Sequence, residues 1–208
     1  MTDAGRLVHV VDDDESVRRS VAFMLKTSGY KVEQYASGAA LLENVRDLEP
    51  GCILLDIRMA GMDGLEVQQG LQEKGITFPV IIMTGHGDVP LSVKAMKAGA
   101  IEFIEKPFEK AVLISAVEEG LALISRGQSG LGRATDASVR LQVLTDRERQ
   151  VLDGLARGLP NKTIAFDLGI SARTVEIHRA NLMSKLAVRS LSEALRLAFA
   201  AQDARDQS

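Results

Sequence analysis

Residues 52–56 have the sequence Cys-Ile-Leu-Leu-Asp, a short run that is apolar until a carboxylate stands at its last position. Residues 7–14 repeat the pattern as Leu-Val-His-Val-Val and three aspartates, and residues 80–84 repeat it as Val-Ile-Ile-Met and a threonine. Runs this short and this apolar are typical of strands in a parallel sheet whose two faces are covered by helices. We therefore predict such a sheet in the first half of the chain.

Between these runs lie longer stretches in which apolar residues recur at helical spacing. The alternation occurs five times, which predicts an α/β fold: a doubly wound, five-stranded parallel sheet of the flavodoxin-like kind. Ligands of such a sheet bind beyond the carboxyl ends of its strands, so we expect the chemistry at that edge. The predicted strands are 7–11, 31–35, 52–55, 80–83 and 101–104, and the predicted helices are 17–27, 38–48, 65–73, 89–98 (with Asp88 as its cap) and 111–124.

The second half of the chain follows a stretch with three glycines at residues 126–137 and is predicted to be all-α. Three to four helices in roughly sixty residues fit a helix-turn-helix unit. We predict helices at 144–156, 162–168, 172–186 and 192–201, and we place the domain boundaries at 1–125 for the first domain, 126–140 for a linker and 141–208 for the helix-turn-helix domain.

Composition narrows the class of protein. Hydrophobic residues at 46% and charged residues at 25% are ordinary for a soluble globular protein, and Cys52 has no second cysteine with which to form a disulfide. We see no leader segment and no run near the roughly 18 apolar residues that a membrane helix needs. The expectation is a cytoplasmic protein that does not associate with membranes.

Charge is distributed unevenly along the chain. The formal net charge of −3 divides into −7 for residues 1–125 and +4 for residues 126–208. A basic half attached to an acidic half indicates that the second half meets a polyanion, although an excess of four charges is modest and also arises by chance.

Carboxylates cluster where the predicted strands end. Asp12-Asp13-Asp14 follow the first strand and Asp56 follows the third, while Thr84 ends the fourth apolar run and Lys106 follows the fifth. A divalent cation relieves the repulsion among such carboxylates, and Mg²⁺ favours one or two of them together with water and phosphate oxygens. The set predicts a phosphoryl-transfer pocket in which Asp56 is the nucleophile. An aspartate after a strand is more often a turn or cap residue, which is the role we assign to Asp14.

Several motifs resemble those of response-regulator receiver domains over residues 6–125: Val11-Asp12-Asp13, Asp56 with Met59 and Met62-Asp63-Gly64, Thr84, and Phe103 through Phe108. The resemblance implies that Asp56 is the phosphoacceptor and that Mg²⁺ or Mn²⁺ is the cofactor. It implies metal binding by Asp13, Asp56 and the backbone carbonyl of Arg58, with Asp12 as an acid near the metal.

The same resemblance assigns the remaining receiver positions. Thr84 and Lys106 would bind phosphoryl oxygens, and Thr84 and Phe103 would move together as a switch. The Lys106-Pro107 peptide bond is expected to be cis. At Ala60 the family usually has proline, so we expect a less rigid loop after Asp56 here.

The second half contains signals for helix starts. Thr145 and Glu148 have the spacing of a capping box, Asn161 is predicted to cap the next helix, and Ser171 the one after it. Within 172–186, one face is apolar through Val175, Leu182 and Leu186. The opposite face is mixed and suited to a major groove.

This segment resembles the LuxR-type helix-turn-helix through three motifs: Leu144-Thr145-x-Arg147-Glu148-x-x-Val151-Leu152, Asn161-Lys162-x-Ile164-Ala165, and Thr174-Val175-Glu176-x-His178. With a receiver in front, the chain resembles the NarL/FixJ family of response regulators. The resemblance implies base contacts from Thr174, Glu176, Ile177, Arg179 and Ala180, and phosphate contacts from Asn161, Lys162, Arg173 and Lys185. Alternatively, Glu176 and Arg179 only pair with each other on a solvated face.

The leading hypothesis is a two-component regulator that a partner histidine kinase phosphorylates on Asp56. It would then form a homodimer on double-stranded promoter DNA and act with RNA polymerase, and it would not be an enzyme, apart from autodephosphorylation. One alternative is a phosphatase of the haloacid-dehalogenase type, from Asp12-x-Asp14-x-Ser16, which leaves Asp56 unexplained. Another is a small-molecule sensor, which the few aromatic residues of the first half disfavour.

Overall fold

The structure is a computed structural model that describes residues 6–85, 89–125 and 140–206. The chain divides into two compact units, Met1–Asp88 with Ala98–Gln128 and Val89–Lys97 with Ser129–Ser208. The predicted cap Asp88 and all but the last residue of the predicted linker lie outside the described residues. Within those described ranges, no helix is long and apolar enough to cross a membrane.

The first unit contains a five-stranded sheet with strand order β2-β1-β3-β4-β5, in which every pairing is parallel. Strands β1, β3 and β4 are buried along their whole length, as their continuous apolar sequence predicts. The predicted fold class is confirmed. The strands are β1 (Leu7–Val11), β2 (Lys31–Tyr35), β3 (Cys52–Asp56), β4 (Val80–Thr84) and β5 (Glu102–Glu105).

The helices that alternate with these strands are α1 (Glu15–Lys26), α2 (Gly38–Glu43), α3 (Gly64–Glu73), α4 (Val89–Lys97) and α5 (Lys110–Ser125). Asp14 caps α1 as predicted, accepting hydrogen bonds from the backbone N–H groups of Ser16 and Val17. One core cluster joins Val10 and Leu54 of the sheet to Leu25 of α1 and Leu113 of α5. Full burial of such a side chain contributes about 1.5–3 kcal/mol, so this face holds the sheet in place.

Helix α2 is shorter than the predicted 38–48. It ends at Glu43, and a 3₁₀ turn, Val45–Asp47, follows. The side-chain amide of Asn44 donates to the carbonyl oxygen of Ala40 at 2.7 Å, taking the acceptor that the Asn44 backbone N–H would use in a continuing helix. Asparagine competes with the helix in this way, which explains the early end.

Besides α4, the second unit contains helices α6 (Asp146–Ala156), α7 (Asn161–Leu168), α8 (Ala172–Leu186) and α9 (Leu191–Asp206). Thr145 and Glu148 form the predicted capping box at α6, and Ser171 caps α8 as predicted. Helix α7 ends at Gly169, whose φ of 64° lies in the left-handed region that favours glycine. Helix α9 extends beyond the predicted 192–201 at both ends.

The prediction that Asn161 caps α7 is wrong. Pro160 is the cap residue and makes no side-chain capping bond, while Asn161 is the first residue inside the helix. The carbonyl of Pro160 accepts from the backbone N–H groups of Thr163 and Ile164, so the helix starts without help from a side chain. The Asn161 side chain instead accepts a hydrogen bond from Arg179.

An ion pair between a buried carboxylate and an exposed lysine connects α6 to α8. Glu148 is only 3% exposed, and its Oε2 accepts from the backbone N–H of Thr145 and from the Lys185 ammonium, each at 2.8 Å. Burial by itself would raise the pKa of Glu148, but the hydrogen bonds from Lys185 and Thr145 outweigh it and lower the pKa. The carboxylate is therefore ionised at neutral pH and joins the two helices.

We predict that Gly64→Ala destabilises the first unit. A Cβ at Gly64 would lie 2.6 Å from the carbonyl oxygen of Asp56 and 2.8 Å from Cα of Ile57, both backbone atoms of the strand end. Overpacking of this kind costs about 1–3 kcal/mol. Both tyrosines, Tyr30 and Tyr35, belong to this unit and the chain has no tryptophan, so urea unfolding followed by tyrosine fluorescence reports on it alone.

The matched control is Gly85→Ala, because a Cβ at Gly85 meets no described residue within 4 Å. It should unfold within about 0.5 kcal/mol of the wild type. Equal free energies of unfolding for the two variants would contradict the close approach at Gly64.

We predict that Glu148→Gln lowers the free energy of unfolding of the second unit by about 2 kcal/mol at neutral pH, as expected for hydrogen bonds to a charged group. Because the folded pKa of Glu148 is lowered, its contribution is complete above the unfolded pKa of about 4.3 and is lost as the pH falls through the folded pKa. The difference between the wild type and the variant should therefore shrink as the pH falls below about 4.3. Far-UV circular dichroism during urea unfolding at each pH measures this.

The control for this experiment is Glu176→Gln. Glu176 is exposed and pairs with Arg173 at 3.3 Å within one helix, and such pairs contribute about 0–1 kcal/mol. A pH-independent difference between the wild type and Glu148→Gln would show that the carboxylate charge is not what matters.

Candidate functional site

Three carboxylates meet at the carboxyl edge of the sheet. Asp56 is the last residue of β3, and Asp12 and Asp13 directly follow β1, the strand beside it. Each side chain offers an oxygen within 4.8 Å of the other two, and Asp12 and Asp56 are buried while Asp13 is exposed. An all-oxygen set with one side open to solvent fits the requirements of Mg²⁺, which keeps several waters when it binds to proteins.

The Lys106 ammonium lies between two of these carboxylates. Its Nζ is 2.7 Å from Oδ2 of Asp12 and 2.8 Å from Oδ1 of Asp56. The Lys106-Pro107 peptide bond is cis, as the family resemblance implies. The two short distances show that a cation lies beside the predicted nucleophile.

Burial and charge shift the pKa values of this pair. Burial is the largest influence on Asp56 and raises its pKa; Lys106 opposes that shift, and Asp12 adds to it. For Lys106, burial acts to lower the pKa, but the hydrogen bonds to Asp12 and Asp56 prevail and raise it. The ammonium is thus held in its charged form.

The two remaining receiver positions lie on the neighbouring strands. Thr84 is buried at the end of β4, where its hydroxyl lies 3.3 Å from the Gly85 carbonyl oxygen, and its own carbonyl accepts from the Lys106 backbone N–H at 2.7 Å. Phe103 lies on β5, opposite Ile82 of β4, and is half-buried. Strand pairing brings Thr84 and Lys106 to the same edge as the carboxylates.

Two contacts at this edge were not predicted. The Arg18 guanidinium donates to the Asp12 carbonyl oxygen at 2.7 Å, and the Ala60 backbone N–H donates to Oδ2 of Asp13 at 2.8 Å. Arg18 lies in α1, shortly after the Asp14 cap. The sequence therefore predicts that Arg18 is near this edge, but not that it donates to the Asp12 carbonyl oxygen. Arg58, predicted to offer its backbone carbonyl, lies two residues beyond Asp56 with an exposed side chain.

The predicted base-facing residues lie on one side of α8. Val175, Leu182 and Leu186 are buried as predicted, which leaves the opposite face outward. Ile177 is 50% exposed, Glu176 and Ala180 are exposed, and Thr174 and Arg179 are half-buried. The face offers donors, an acceptor and apolar groups, the kinds of group that contact base edges.

Several of these residues have partners in the protein itself. Glu176 pairs with Arg173 at 3.3 Å, so the alternative pairing of Glu176 with Arg179 is not the one that forms. Arg179 donates instead to the side-chain oxygen of Asn161 at 3.2 Å. The hydroxyl oxygens of Thr174 and Ser171 are 2.8 Å apart. Exposed pairs such as the first contribute little and exchange readily for contacts with a ligand.

Lys162 and Lys185 differ in their availability to phosphates. Lys162 is exposed at the start of α7. Lys185, also predicted to contact phosphate, is bound to the buried Glu148. Moving Lys185 would leave a buried carboxylate unpaired, which is costly.

Comparison with known families matches both units. Residues 8–118 match the response regulator receiver domain, and residues 142–198 match the bacterial regulatory proteins of the luxR family. The receiver match alone covers more than half of the chain.

Similar proteins extend over nearly the whole chain. The transcriptional regulatory protein FixJ of Rhizobium meliloti (strain 1021) is 48% identical over 93% of this chain and 95% of its own length, and that of Azorhizobium caulinodans is 50% identical over 93% and 92%. The crystal structure of full-length FixJ from B. japonicum, 42% identical, matches with a TM-score of 0.58 over 95% of this chain and 97% of that one. The chain thus matches both domains of these relatives and belongs to the FixJ-like two-component response regulators, which regulate transcription through a receiver domain and a LuxR-type DNA-binding domain.

Proposed function

We propose that Asp56 accepts a phosphoryl group from a partner histidine kinase and that this modification controls the binding of the LuxR-type domain to promoter DNA. The observation that carries the proposal is the Lys106 ammonium, 2.8 Å from Asp56 in a pocket where three carboxylates meet. This is the charge arrangement that phosphoryl transfer needs, with a carboxylate nucleophile and cations beside it.

The proposed transfer begins with attack by a carboxylate oxygen of Asp56 on the phosphorus of a phosphohistidine. The new bond joins that oxygen to phosphorus, and the bond from phosphorus to the imidazole nitrogen breaks, leaving its electron pair on the nitrogen. Because Lys106 holds Oδ1 of Asp56, Oδ2 is the candidate nucleophile. Lys106 and Thr84 then bind the phosphoryl oxygens.

Asp12, Asp13, Asp56 and the Arg58 carbonyl are the residues that would hold Mg²⁺ or Mn²⁺. The bound ion supplies positive charge that offsets the charge of the incoming phosphoryl group. Asp13 and Asp56 are proposed as direct ligands, and the buried Asp12 as an acid beside them.

Phosphorylation is proposed to move Thr84 and Phe103 and to favour a symmetric homodimer. A two-fold dimer places two α8 helices against a palindromic site, which a monomer cannot do.

The domains are proposed to be 1–125 and 141–208 with a linker at 126–140, and the family matches at 8–118 and 142–198 fall within those ranges. We place the protein in the cytoplasm, with RNA polymerase as a further partner and with autodephosphorylation as its only catalysis.

On DNA, base contacts are proposed for Thr174, Glu176, Ile177, Arg179 and Ala180, and phosphate contacts for Asn161, Lys162, Arg173 and Lys185. The outward face of α8 supports the first set. The net charge of +4 on residues 126–208 supports an anionic ligand for this half.

We predict that Asp56→Asn folds normally but accepts no phosphoryl group, because the amide keeps the volume of the side chain and lacks the nucleophile. After incubation with acetyl phosphate and Mg²⁺, intact mass should show one added phosphoryl group per wild-type chain and none on the variant. Analytical ultracentrifugation of the same samples should show a dimer for the modified wild type alone. Asp47→Asn, a change at an exposed aspartate of the 3₁₀ turn, should behave as the wild type.

Labelling of Asp56→Asn at the wild-type level would refute the assignment of Asp56. A wild type that is modified yet remains a monomer with unchanged DNA affinity would refute the dimer step and leave the phosphoacceptor in place.

We predict different effects for two DNA-contact variants. Arg179→Ala should weaken binding to the specific site by about 1–3 kcal/mol and relax the preference at one base pair, whereas Lys162→Ala should weaken all sequences alike and lower the salt slope by about one. Fluorescence anisotropy on specific and random duplexes across a salt series measures both quantities. Equal losses on the two duplexes for both variants would contradict the division into base and phosphate contacts.

A further inference from the structure

The loop after Asp56 reaches back to the carboxylate cluster through its backbone. The Ala60 N–H donates to Oδ2 of Asp13 at 2.8 Å, across 47 residues of sequence. Ala60 is exposed, so this contact comes from the peptide group and not from the packing of its side chain. Proline has no N–H and could not make this bond.

The three carboxylates are held by different partners. Lys106 binds Asp12 and Asp56, and the backbone N–H of Asp14 also donates to Asp12. The bond from Ala60 provides Asp13 with a donor although its side chain is exposed and stands beside two like charges. A donor at one carboxylate oxygen fixes the orientation of the group and reduces the repulsion from its neighbours.

A carboxylate has two oxygens and about four lone-pair positions. The amide occupies one position on Oδ2, so the second oxygen of Asp13 stays available as a ligand. Groups that hydrogen-bond a ligating side chain orient it toward the metal, and their loss commonly weakens metal binding.

We propose that the Ala60 peptide N–H is a positioning group that holds the Asp13 carboxylate ready to bind a divalent cation. The inference rests on the metal site of the proposed function. In this chain the loop after the phosphoacceptor takes part in metal binding through a backbone donor that a proline at this position would remove.

The test compares Ala60→Pro with Ala60→Val in the full-length protein. Both variants place three side-chain carbons at the position, but only valine keeps the N–H. We expect the Mg²⁺ dissociation constant of Ala60→Pro, from amide shifts near the site in an NMR titration, to rise about tenfold, the lower end of the range for such supporting groups. Ala60→Val should stay within about twofold of the wild type, since its hydrogen bond is intact.

A second measurement does not depend on how the proline variant folds. In the wild type, the Ala60 amide should exchange with solvent about tenfold more slowly than in Asp13→Ala, as expected for one hydrogen bond. Saturating Mg²⁺ should leave that protection in place, because the ion uses the other oxygen. Loss of protection on adding Mg²⁺ would show that the amide competes with the ion, and it would overturn the proposal.

The outcomes separate the two proposals. Ala60→Pro binding Mg²⁺ as tightly as the wild type, or more tightly, refutes the role of Ala60 and leaves the metal site standing. If Asp13→Ala binds Mg²⁺ as the wild type does, Asp13 is not a ligand, and the metal site fails together with the role of Ala60.

Discussion

The receiver half depends on one ammonium shared by two buried carboxylates. Burial removes hydration from Asp12 and Asp56, and the two carboxylates repel each other; Lys106, within hydrogen-bond distance of both, compensates for these costs. The strand order of the sheet makes this meeting possible, because β1 and β3 are neighbours and Lys106 comes directly after the edge strand β5. A change in topology would separate the three charges.

The same arrangement leaves the pocket with an unbalanced charge. Within the described part of the chain, three carboxylates surround the Lys106 ammonium, so these four side chains carry two negative charges in excess when all are ionised. On the proposed function, a divalent cation would balance that excess, and the incoming phosphoryl group would add negative charge again. The metal and the lysine would then be complementary: Lys106 stabilises the pocket without the ion, and the ion would prepare it for an anionic substrate.

The sequence predicted most of the fold and the main residues of the site, for reasons that particular elements make clear. Continuous apolar runs identified β1, β3 and β4, and the alternation of strands with helices identified β2 and β5. The polar residues at the carboxyl ends of the strands identified the pocket, because in a parallel sheet those ends meet at one edge. The sequence also predicted a helix start correctly where the two residues of the capping box are only three positions apart, as Thr145 and Glu148 are.

Features that depend on distant partners could not be predicted. No local sequence signal indicates that Glu148 also binds Lys185 on another helix. Nor does one indicate that the Asn161 side chain accepts a hydrogen bond from Arg179 and does not cap α7. The Ala60 contact was missed for a different reason, because a backbone N–H is present at nearly every position and acquires its role only when the fold places an acceptor opposite it.

The hydrogen bond between Asn161 and Arg179 has a consequence for how specificity can change. A guanidinium that is already held by a neighbour has lost part of its rotamer entropy before any ligand arrives, so less is lost on binding. On the proposal that Arg179 contacts a base, the preference for that base is encoded on two helices. Substitutions at position 161 on α7 would then shift the preferred target by redirecting an unchanged arginine, which gives relatives a route to new promoters that leaves the outward face of α8 intact.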